Sequence, residues 1–101
     1  MRERSTVIAR VAELVAEPER LPELLAEATG PVRLARVHYA LIALSETDAA
    51  LKNIYEKVAD LCSMGLDLIE SPGVKAGVPE LVAFAIIILR DLGKLGEKHG
   101  L

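Results

Sequence analysis

Residues 81–89 read Leu-Val-Ala-Phe-Ala-Ile-Ile-Ile-Leu, an unbroken run of nine apolar residues between Glu80 and Arg90. Wound as a helix of about 3.6 residues per turn, the run and its flanks leave a polar sector only about 120° wide. Glu80, Arg90, Asp91, Lys94, Glu97 and Lys98 fall in that sector, and Ile87 points into it as well. A helix apolar over more than half of its circumference must be covered on at least two sides. Neighbouring helices of the same chain are expected to cover the broad arc. Phe84, Ile87, Arg90 and Asp91 are expected to meet another chain.

Such a helix could also belong in a bilayer, but nine residues are about half of the roughly 20 needed to span one. The charged start Met1-Arg2-Glu3-Arg4-Ser5 is followed by no continuous apolar segment of the kind a secretion signal carries. The expectation is a cytoplasmic protein with no membrane contact. The single Cys62 excludes an internal disulfide framework and a CxxC metal site.

With 101 residues the chain is long enough for one domain, spanning 1–101. Hydrophobic residues make up 51 %, more than so short a chain can readily hide, and the excess favours self-association. The net charge of −3 is spread without a basic region. Residues 1–40 balance six Arg against six Glu, and residues 41–75 set six acids against three Lys. No segment has the electrostatic footprint of a nucleic-acid binder, and aromatic residues at 3 % give no base-stacking platform. Asn53 is the sole side-chain amide, and Gln is absent; that scarcity is a compositional trait of thermophile proteins.

Nothing alternates with period two, so the chain reads as all-α, a bundle of about five helices. Ser5 suits an N-cap for a helix over 5–17, which Pro18 ends. A second short helix over 19–29 stops at Gly30, and Pro31 opens the next. Three longer helices, 31–45, 47–70 and 78–98, make the core. Leu34, Val37, Leu41 and Leu44 step by 3, 4 and 3, the spacing of a packing seam. Leu51, Ile54, Val58, Leu61, Gly65 and Leu68 continue that rhythm in the following helix, opposite Lys52, Glu56, Asp60, Ser63 and Asp67. Ser45-Glu46-Thr47-Asp48 resembles a capping box with Asp in place of Glu and is expected to separate the two helices; as it holds no Gly or Pro, a single helix over 31–70 is the alternative. Ser71-Pro72-Gly73 opens a loop through Gly77, and the tail around Gly93, Gly96 and Gly100 is expected to fray.

Arg33-Leu34-Ala35-Arg36-Val37-His38 has an Arg, an apolar residue, three further residues and a His. It resembles the signature of HEPN-type RNA nucleases, small all-α proteins that commonly dimerise and place Arg and His at a shared cleft. The resemblance covers six residues. Family members often carry a polar residue after the Arg and a Tyr two after the His; here those positions are Leu34 and Ala40. It implies His38 as a general acid or base and Arg33 as a phosphate clamp. Arg33 and Arg36 would stand in the first turn of a helix beginning at Pro31, where the dipole disfavours cations.

Glu56, Asp60 and Asp67 form an acidic stripe, but with no Glu-x-x-His motif it reads as a solvated face and no metal site. Cys62 reads as a small core residue, and Gly93-Lys94-Leu95-Gly96 lacks the strand and spacing of a phosphate loop. The sequence therefore favours a non-enzymatic helical module without cofactor, a homo-oligomer with a dimer preferred, or one docking on a protein partner through the C-terminal helix. A HEPN-like ribonuclease using Arg33 and His38, and an adaptor subunit of a nucleoprotein complex, are the alternatives.

Overall fold

In the computed structural model the backbone is described for residues 2–98 and side chains for residues 6–95. Among the described residues there is no strand, and the expected all-α bundle is what forms. The helices are α1 (Arg2–Val15), α2 (Leu21–Ser45), α3 (Ala49–Asp67), the single turn α4 (Pro72–Lys75) and α5 (Pro79–Lys98). Short 3-10 turns at Pro18–Arg20 and Leu68–Glu70 join α1 to α2 and α3 to α4. Ser5 lies inside α1 rather than capping it. Gly93 and Gly96 lie within α5, and Gly100 is outside the described residues.

Gly30-Pro31 does not end a helix. α2 runs through both for 25 residues. Pro31 removes the N–H that Glu27 would receive, normally a cost of about 3 kcal/mol in a helix interior. Burial outweighs it. Leu21, Leu24, Ala28, Val32, Ala35, Tyr39 and Ala43 are all buried, and they step by 3, 4, 4, 3, 4 and 4 across the Gly-Pro pair. That mean repeat matches an α-helix, so one continuous helix keeps all seven on a single face. The hydroxyl of Thr29 donates to the Leu25 carbonyl at 2.7 Å, leaving this buried side chain satisfied. Gly93 lets α5 approach the proline closely: a Cβ there would stand 3.4 Å from Pro31 Cβ.

α2 ends at Ser45, and the expected break before α3 is present, three residues later than the capping box placed it. Asp48 is the N-cap. Its extended backbone turns the carboxylate onto the N–H groups of Ala50 at 2.9 Å and Leu51 at 3.1 Å. The Glu46 carboxylate accepts from the Asp48 N–H at 3.1 Å. Asp48→Ala should destabilise the protein by about 1 kcal/mol, read as a lower urea midpoint at constant slope. A loss below about 0.3 kcal/mol would mean that the cap is dispensable. Gly77, before α5, has φ of 76°, a left-handed conformation open to glycine and strained for other residues.

α2, α3 and α5 pack on one another as a triangle, and α1 lies chiefly on α5. One core cluster joins Leu21, Leu24, Val74, Val82, Ala83, Ala85 and Ile86, with Val11, Leu14 and Val15 of α1 against it. The other joins Ala28, Val32, Ala35, Tyr39, Cys62 and Leu89, covered by Tyr55, Val58, Ala59 and Leu66 of α3. Ala28, Ala35 and Cys62 in the second cluster let α2 and α3 approach closely. A Cβ on Gly65 would collide with Leu92 Cδ1. The radius of gyration is 14.9 Å, against about 13 Å for a compact domain of this length.

Candidate interaction surface

Three helices in a triangle have outer faces, and in this protein two of those faces are apolar. On α2 the expected seam does not face the core. Leu34, Val37, Leu41 and Leu44 are 68, 50, 60 and 77 % exposed. They project from the side of α2 opposite Ala28, Val32, Ala35 and Tyr39, so α2 carries a second apolar stripe behind its buried one. On α3 the expected seam lies at the edge of the core. Leu51, Ile54 and Leu61 are exposed, Val58 and Leu68 half-buried, and Gly65 buried. The face that α3 turns inward is centred on Cys62.

The second apolar face is a groove of about 250 Å³ between α3 and α5, lined by Leu61, Met64, Gly65, Leu68, Phe84, Ile88 and Leu92. It opens away from α2. Phe84 is 45 % exposed at its rim, and Leu81 continues the apolar surface along α5. Of the expected interface residues, Phe84 lies on this face and Ile87, Arg90 and Asp91 do not. Ile87 is buried, only 3 % exposed. It stands one turn before Asp91, whose carboxylate holds Arg10 of α1 at 3.2 Å. α1 thus lies over the polar sector at Ile87 and Asp91, and a helix of the same chain fills the place assigned to another chain. Arg90 lies on yet another side, lining a shallow depression with Glu27, Pro31 and Lys94.

Arg33 and His38 do not converge. Five residues along one helix set them about 140° apart. Arg33 is exposed, whereas His38 is half-buried and edge-on to the Tyr39 ring, with centroids 5.3 Å apart. Because α2 begins at Leu21, Arg33 and Arg36 stand mid-helix, and the dipole penalty expected for a helix start at Pro31 does not arise. Neither arginine is in an ion pair among the described residues. The charge of Arg33 adds slightly to the lowered pKa of Glu70, which comes mainly from the hydrogen bond and charge of Lys75.

The acids Glu56, Asp60 and Asp67 are exposed on α3. Among the described residues no three His, Cys, Asp or Glu side chains come close enough to hold a metal ion. Cys62 is fully buried, and burial pushes its thiol pKa up. Tyr39 is buried as well; its hydroxyl donates to the Leu95 carbonyl at 3.2 Å, and burial raises its pKa. No helix among the described residues is long and apolar enough to cross a membrane.

Searches against protein-family models, curated proteins and solved structures return no match for this chain. The class of protein is therefore defined by the fold itself, a small all-α bundle with two apolar faces turned outward.

Proposed function

We propose that the protein is a small non-enzymatic interaction module that self-associates or docks on a protein partner, with the groove beside the C-terminal helix as one contact face. The groove carries this reading. Leu61, Met64, Leu68, Phe84, Ile88 and Leu92 line a channel between two helices, the shape and chemistry that receive the apolar face of a third helix. The extended shape, with Leu34, Leu41 and Leu44 of α2 exposed behind buried Ala28, Ala35 and Ala43, suits one part of an assembly.

Sedimentation equilibrium at micromolar concentration tests the reading. The expected mass exceeds the 10.9 kDa of one chain, or the protein co-purifies in defined ratio with another protein. A clean monomer that isolates alone would overturn it.

A further inference from the structure

We draw no further inference here: the strongest candidate, the exposed apolar stripe of Leu34, Val37, Leu41 and Leu44 on the outer face of α2, is an unpartnered helix face, and nothing in the structure shows what covers it.

Discussion

Replacing Leu89 by alanine is expected to lower the stability of the protein by about 2–5 kcal/mol, towards the upper end of that range. Leu89 is fully buried where α2, α3 and α5 meet, packed among Ala28, Val32, Ala35, Tyr39 and Cys62. Ala28, Ala35 and Cys62 have no length with which to reach into a cavity, and the close helix approach at Gly65 holds the surrounding backbone in place. A domain of this size is commonly stable by about 5–15 kcal/mol, so the loss is a large fraction of the total. At about 4–8 °C per kcal/mol the melting temperature should fall by roughly 8–40 °C. Guanidinium unfolding at fixed protein concentration checks it, concentration being held because self-association would shift the midpoint. A loss under about 1 kcal/mol would show that the three-helix junction collapses freely around the hole.

Ile87→Glu and Phe84→Glu should behave in opposite ways, although both add a carboxylate to the same apolar run. At Ile87 the charge would be buried beneath α1 with no partner provided for it. A penalty of several kcal/mol follows, enough to release α1 or unfold the chain. At Phe84 the charge sits at the rim of an open groove, and surface changes of that kind usually stay within about 0.5 kcal/mol. Thermal melts followed by circular dichroism separate the two. Equal melting temperatures for the two variants would refute the burial of Ile87 by α1.

These contrasts show where the sequence was legible. Helical periodicity gave the all-α class, and the start of α5 at Pro79 and the break before α3 followed from local chemistry. A helical projection inverts the inner and outer faces of α2, because large side chains stand out on it whether or not they are buried. Leucine and valine at 34, 37, 41 and 44 stand out on a helical projection, whereas alanines at 28, 35 and 43 do not. On this helix Ala28, Ala35 and Ala43 are inside, where they permit close packing. A steadier signal was available in the phase of the repeat: the set through Leu21, Ala28, Ala35 and Ala43 stays in register across Gly30-Pro31, which also argues for one long helix. Ile87 was misplaced for a different reason. Its position on α5 was read correctly as the polar side, but α1 was not expected to lie there, and the long-range pair between Arg10 and Asp91 has no local signature. For the function, the groove could not be seen from one helix at a time, since Met64 and Phe84 become neighbours only when α3 and α5 pack.

The placement of α1 gives the molecule a graded response to thermal fluctuation. Because α1 rests chiefly on α5, it can lift away while the α2–α3–α5 triangle stays intact. Val11, Leu14 and Val15 pack α1 on the core and an exposed ion pair ties Arg10 to Asp91, whereas Tyr39 and Leu89 are held from several sides. The cheapest opening is thus a hinge at Ala16-Glu17 that bares the flank of α5 holding Ile87. A helix that detaches this easily, tethered by so short a link, can settle on the same flank of a neighbouring molecule. Helix-for-helix exchange of this kind would let crowding convert a pair of chains into an interlocked one without any new contact being invented.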